Sequence, residues 1–167
     1  MTVITYRDEV LACDSLWNFN DFKLKKNKIE VLHNGMYYGA AGGLDDRSLK
    51  SLLAKIKIDP EKGVTEESFP SVKKLRDLDL DTTALIVVPQ NIKLGINPVF
   101  IVSCSRSTDR EDDSCVISLP DEPIASGSGS DCAMTALKRG AGAAEAVQDA
   151  CEFDVNCCGP VNILEMK

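Results

Sequence analysis

The sequence predicts an α+β protein, two antiparallel sheets packed face to face with helices outside, a four-layer αββα sandwich. Three observations lead there. Short apolar or alternating segments bounded by turn residues recur along the chain and read as strands. A stretch after Gly42-Gly43 and an alanine-rich pair on either side of Gly140-Ala141-Gly142 carry helical spacing. The resulting order is strands, helix, strands, helix pair, strand. No internal repeat is visible, and at 167 residues the chain is expected to be one domain, residues 1–167, with enough core to need no staples.

Taken in order, Val3 to Arg7 and Val10 to Cys13 read as a hairpin around Asp8-Glu9, a connection of hairpin length though without the usual glycine. Such a hairpin returns Asp14 to the neighbourhood of Thr2. Residues 15 to 27 read as a polar, aromatic-bearing loop, in which Lys23, Lys25 and Lys26 belong to a solvated surface. Lys28 opens an alternating strand, Lys28-Ile29-Glu30-Val31-Leu32, with Ile29 and Val31 on one side. Asn34-Gly35 is the strongest hairpin signal in the chain and returns it through Met36 to Ala41 into Gly42-Gly43. A helix follows, with Asp45 and Asp46 in its first turn and Leu49, Leu52, Leu53 and Ile56 at helical spacing as far as Asp59-Pro60. Gly43 thus precedes a helix N-terminus, where backbone N–H groups suit an oxyanion. Residues 59 to 82 are polar, with a short helix around Ser71 to Leu78. Strands resume at 83–88 and 99–103 with a turn near Gly95 and Pro98, and Ser105 to Ser114 is a charged loop before a strand at 115–119. Ala125 to Asp131 is rich in small residues and reads as a tight functional turn ahead of a helix, Cys132 to Arg139. A second helix runs from Ala143 to Cys151, and a last strand from Val161 to Leu164.

Composition narrows the function. The net charge is −7 with a pI near 4.7, which provides no electrostatic footprint for nucleic acid or an anionic membrane surface. No apolar run approaches the ~20 residues of a membrane helix, and no basic region followed by an apolar stretch marks the N-terminus for export. A cytoplasmic protein is expected, in a bacterium or a phage-infected host. The seven cysteines are odd in number and lack an export signal, so reduced, mostly buried thiols are expected rather than a disulfide framework. With one histidine, His33, set before Asn34-Gly35, and no Cys-x-x-Cys pair, neither zinc nor any other cofactor is expected.

Thr2 is the residue that concentrates the chemistry. By itself it is an ordinary second residue. Its small side chain permits removal of Met1, and the new chain end would then hold a hydroxyl nucleophile and an α-amine of pKa about 7.7 to 8.0 in one residue. Set beside the rest of the chain, it resembles the start of the proteasome family of N-terminal-nucleophile hydrolases, in particular the compact bacterial and phage proteins similar to the HslV peptidase. Thr2, a hairpin and Ala12-Cys13-Asp14-Ser15 resemble the family's threonine and Ala-x-Asp-Ser motif. Asn27-Lys28-Ile29 resembles the lysine opening the third strand, and Ala41-Gly42-Gly43-Leu44-Asp45-Asp46 the Ala-Gly-Gly-x-x-Asp segment. Gly127-Ser128-Gly129 resembles the Gly-Ser-Gly turn, and Asp154-Val155-Asn156-Cys157-Cys158-Gly159 the Asp-x-x-Ser-Gly-Gly turn. Each motif is common; their order and intervals carry the resemblance, which spans the chain apart from residues 59–82 and 104–114. Cys157 and Cys158 depart from it, standing for a serine and a glycine.

The resemblance implies an N-terminal-nucleophile hydrolase fold and peptide-bond hydrolysis through an acyl-enzyme. It implies Thr2 as nucleophile and base, Lys28 as the cation beside it, and Asp14 as the partner holding Lys28. The Gly42 N–H would face the oxyanion, and Ser128, Asp154 and Cys157 would form a network around the free amine. It further implies maturation by methionine removal alone, a homo-oligomeric ring or stacked rings, peptide or unfolded-protein substrates and an ATP-dependent unfoldase as a possible partner. Two rival readings keep the fold: a catalytically idle scaffold, and an amidase acting on a small amide.

Overall fold

The computed structural model describes residues 2–19, 22–42, 46–78, 80–105, 114–154, 157 and 159–166, and the chain divides into two compact units. It is α+β, and every strand pair with a described register is antiparallel.

Unit 1 comprises residues 1–30, 39–42 and 121–167. Its sheet is built from β1 (Val3–Arg7), β2 (Val10–Cys13), β10 (Ile124–Gly127) and β11 (Asn162–Glu165) in the order β10-β1-β2-β11. The β1–β2 turn is made by Asp8 and Glu9, both with positive φ (50° and 63°), the backbone shape that matches the twist of a two-residue hairpin. Helices α4 (Ser130–Lys138) and α5 (Ala143–Phe153) pack on this sheet. Their inward faces, Ala133, Ala136 and Leu137 with Ala143, Ala146, Val147 and Ala150, bury small side chains against Val3, Ala12 and Cys157. Small residues at three- and four-residue spacing let helix and sheet come close. Arg7 donates from Nη1 to the carbonyls of Leu137 (2.6 Å) and Ala141 (3.0 Å), closing the C-terminal end of α4, and Thr5 Oγ1 donates to the Ala143 carbonyl at 2.8 Å.

Two expectations are corrected in unit 1. Residues 15 to 27 are not a loop: β3 (Leu16–Phe19) pairs with β4 (Phe22–Lys25), from Leu16↔Lys25 to Phe19↔Phe22. The small-residue stretch before α4 is partly strand, because β10 pairs with β1 through Ser126 and Gly127, whose pairing uses backbone rather than side chains. Lys25 and Lys26 are exposed, as expected of a solvated surface.

Unit 2 comprises residues 31–38 and 43–120. The five-stranded sheet runs β5 (Ile29–Val31), β6 (Tyr37–Gly42), β7 (Thr82–Val87), β8 (Val99–Ser105) and β9 (Ser114–Ser118) in that order, and β7 to β9 belong to unit 2. In β7 the run Ala84 to Val87 is wholly buried, which accounts for a continuous rather than alternating apolar pattern. Asn34-Gly35 makes the expected turn, Leu32 N–H donating to the Met36 carbonyl at 2.8 Å and Gly35 taking φ 83°. Ile29 is buried but Val31, meant for the same face, is 49% exposed at the end of a three-residue edge strand. Helix α1 (Arg47–Leu53) is shorter than predicted and has no acid in its first turn. Asp46 stands at its cap position and its carboxylate accepts from Tyr38 Oη (2.9 Å) and pairs with Lys50 (3.2 Å). Leu49 and Leu53 are buried in α1, and Ile56 beyond it. Helix α2 (Val72–Arg76) is capped by Ser71 Oγ. The charged loop lies mostly at residues 106–113, outside the described residues.

The turn near Gly95 proves to be a helix, α3 (Pro89–Leu94), with proline at its start and Gly95 left-handed at its end. Inside it Asn91 is fully buried. Its Oδ1 accepts from Val64 N–H (2.8 Å), and its Nδ2 donates to the carbonyls of Val64 and Asn97 (2.8 Å each). Gly63, at φ 70°, leaves room for that amide; a Cβ there would collide with Asn91 Oδ1. Asn91→Ala strands the buried N–H and carbonyl of Val64 and the half-buried carbonyl of Asn97, and an expected loss of about 2–4 kcal/mol will appear as a lower urea midpoint with an unchanged m-value. Gly63→Ala, strained in φ and in space, is expected to destabilise in the same assay, whereas Gly95→Ala, with open space around it, bears the φ cost alone.

Candidate active site

All seven residues proposed from the sequence, Thr2, Asp14, Lys28, Gly42, Ser128, Asp154 and Cys157, fall in unit 1. The register of the sheet explains how. β1 and β2 pair with Ile4 opposite Cys13, so the next pair is Val3 with Asp14, and Asp14 N–H donates to the Val3 carbonyl at 3.2 Å. The Asp14 carboxylate is completely buried. Its Oδ1 accepts from Val3 N–H at 2.9 Å and from Lys28 Nζ at 2.8 Å, while Oδ2 accepts from Lys28 Nζ at 3.0 Å and from Leu16 N–H at 3.1 Å. The Lys28 side chain is 6% exposed. A cation and an anion are therefore held out of water against each other, with two backbone N–H groups also donating to the carboxylate, the kind of pairing under which a buried pair survives desolvation.

On the other side of β1, β10 pairs with Val3 opposite Gly127, which sets Ser128 beside Thr2. Thr2 is 5% exposed. Its N–H donates to Ser128 Oγ at 3.3 Å, and the Ser128 hydroxyl lies 3.4 Å from the Thr2 carbonyl as donor. Ser128 Oγ is 3.7 Å from Cys157 Sγ, and Cys157 Sγ donates to Asp154 Oδ2 at 3.4 Å. Burial, with the Asp154 carboxylate adding to it against a lowering from Ser128, pushes the Cys157 thiol up to about 12. It is thus a protonated donor at neutral pH. The chain Thr2 N, Ser128, Cys157, Asp154 is continuous.

Gly42 ends β6 with φ 124° and is exposed. One hydrogen bond ties that end of β6 to the site, Ala40 N–H donating to the Lys28 carbonyl at 3.3 Å, and Ala41 Cβ lies near enough to Gly127 that a Cβ built there would meet it at 3.4 Å. Gly43, Leu44 and Asp45, with the oxyanion-suited turn expected at Gly43, lie outside the described residues, as do Met1 and Cys158.

Two residues are structurally required that side-chain chemistry does not single out. Gly127 has φ 99°, and a Cβ there would collide with the Thr2 carbonyl. At Gly129 a Cβ would lie 2.8 Å from Cys157 Sγ. Both glycines of Gly127-Ser128-Gly129 therefore serve close approach on either side of the serine. The signal was present in the motif; the reason for it was spatial. Among the described residues no group of three or more His, Cys, Asp or Glu side chains is placed to hold a metal ion, and no helix is long and apolar enough to cross a membrane.

No protein-family model matches the chain, and no curated protein matches it in sequence. Solved structures do match. Thiobacillus denitrificans BPH is 20% identical with a TM-score of 0.60, and the same protein in complex with epoxomicin is 18% identical with a TM-score of 0.59; each comparison covers 99% of this chain and 97% of the other. Eukaryotic HslV from Trypanosoma brucei is 12% identical with a TM-score of 0.55 over 99% of both chains. The likeness runs end to end, and at these identities it is one of fold: the chain has the fold of BPH and HslV, as the resemblance of its motifs implied.

Proposed function

We propose that the protein is a threonine-type peptidase subunit that hydrolyses peptide bonds in unfolded proteins after removal of Met1. The observation that carries this reading is the position of the Thr2 nitrogen, 3.3 Å from Ser128 Oγ at the head of a hydrogen-bonded chain, with the Asp14–Lys28 pair anchored on the next residue's N–H. With Met1 attached, that nitrogen is an amide and has no basicity. Cleavage of the Met1–Thr2 bond turns it into an amine able to take the Thr2 hydroxyl proton.

In the proposed cycle the deprotonated Thr2 Oγ1 attacks a substrate carbonyl, and Lys28 favours the oxyanionic form of the nucleophile. The Gly42 N–H donates to the tetrahedral oxyanion. Collapse expels the amine fragment, protonated from the Thr2 ammonium, and water then hydrolyses the ester. Asp14 positions Lys28, while Ser128, Cys157 and Asp154 orient the amine. In the same reading the chain forms one domain, its sheets and helices stack as a four-layer N-terminal-nucleophile sandwich, and copies assemble into a homo-oligomeric ring or barrel in the cytoplasm. An ATP-driven unfoldase would supply unfolded chains. The scaffold reading draws on one observation: the thiol of Cys157, held protonated, is a poorer hydrogen-bond partner than the family's serine. A small-amide hydrolase would share the Thr2 chemistry and differ in preferring small amides to unfolded protein.

Intact mass of freshly purified protein is expected to lack Met1, and an unfolded-protein cleavage assay is expected to show activity that Thr2→Ala reduces by about a thousandfold or more. Cleavage by Thr2→Ala at the wild-type rate would falsify the mechanism, and a retained Met1 with no activity would favour the scaffold. Lys28→Ala leaves the buried Asp14 carboxylate uncompensated, so hydrolysis is expected to disappear together with about 3–5 kcal/mol of stability in denaturant titration. Cys157→Ser supplies a stronger partner to Ser128 and Asp154, and kcat is expected to rise by roughly twofold to tenfold; a fall would show that the thiol itself is required.

A further inference from the structure

Unit 2 carries a thiol pair that the proposed reaction does not use. Cys104 in β8 and Cys115 in β9 stand directly opposite each other in the antiparallel register, between the pairs Ser103↔Val116 and Ser105↔Ser114. Both are buried, at 3% and 8% exposure, and their sulfurs are 2.8 Å apart, against about 2.05 Å in a formed disulfide. Directly opposed residues hold their Cβ atoms close enough for bridging with little backbone movement. β9 is the edge strand of its sheet. An edge strand opens locally at small free-energy cost, which admits a small oxidant to the more exposed Cys115 without unfolding the sheet.

We propose that Cys104 and Cys115 form an oxidisable dithiol, converted by a low-molecular-weight disulfide of the glutathione class into a cross-strand disulfide that clips β9 to β8. The Cys115 thiolate attacks one sulfur of the oxidant, whose S–S bond breaks and releases one thiol. Cys104 then loses its proton and attacks the Cys115 sulfur of the mixed disulfide, releasing the second. Two protein S–H bonds and one S–S bond are replaced by one protein S–S bond and two S–H bonds, so the protein is oxidised by two electrons and the oxidant reduced by two. Burial, then the thiol–thiol contact with Cys115, raises the pKa of Cys104. Cys104, the less exposed of the two, is the resolving partner, reacting once a mixed disulfide on Cys115 lies against it.

The test uses the native full chain, equilibrated with glutathione disulfide at neutral pH, quenched with an alkylating agent and digested with trypsin without reduction. Arg106 and Arg110 separate the two cysteines, so a bridge leaves their peptides covalently linked. The expected result is a Cys104–Cys115 linked peptide two hydrogens lighter than its two halves, with neither an alkyl group nor glutathione on either cysteine, a higher thermal midpoint, and full reversal by dithiothreitol. In Cys104→Ser the same treatment is expected to leave one glutathione on Cys115. Absence of the linked peptide while other thiols oxidise, or glutathione retained on Cys115 of the wild type, overturns the proposal. The wild-type peptide map decides the matter even if the variant does not fold.

Discussion

The carboxylate of Asp14 is the interaction on which the rest of unit 1 depends. It accepts from the N–H of Val3, from the N–H of Leu16 and, on both oxygens, from the Lys28 ammonium. Those donors begin β1, begin β3 and precede β5, so one buried anion fixes the start of three strands. An unpaired charge in that position would cost several kcal/mol, and the pairing turns this cost into a constraint on geometry. Only the arrangement that brings Lys28 to Asp14 keeps both out of water, and that arrangement also sets the residue after Thr2.

Around this anchor the site is assembled by backbone register more than by side-chain choice. Pairing on one side of β1 sets Asp14 against Val3, and pairing on the other sets Ser128 against Thr2. The alanine faces of α4 and α5 bring the helix layer close enough for Cys157 to reach the same neighbourhood. Thr2, the charge pair and the polar chain therefore share one support, which is the condition for holding polar groups in position to within a fraction of an ångström.

Much of this was legible in the sequence because it rests on local signals. The β1–β2 hairpin, the Asn34-Gly35 turn, the apolar run of β7 and the helix pair about Gly140 all follow from periodicity and turn residues within a few positions. What escaped either lacked a clear local signal or was set by partners distant in sequence. The β3–β4 hairpin lacks a glycine turn signal, and β10 is a strand because β1 lies beside it, despite its serines and glycine. Helix α3 carried its proline and glycine punctuation but spans a single short stretch, and the bond from Asn91 to Val64 crosses 27 residues. Of the candidate site, motif order picked out residues that the fold brings together, Thr2 with Ser128, Cys157 and Asp154, and Asp14 with Lys28; the reason for Gly127 and Gly129 was not legible, since it lies in what a missing Cβ would strike.

The turn at Asp8 and Glu9 has a reach well beyond its two residues. Because it closes the hairpin with no residue to spare, it acts as the origin from which both arms are counted, and Val3 and Asp14 come level five residues along each strand, roughly 16 Å away. Side chains alternate faces with every step, so the parity of that count decides whether the Asp14 carboxylate meets Lys28 or points away. The phase of the charged centre is thus written at the opposite end of the hairpin, in two residues that take no part in its chemistry.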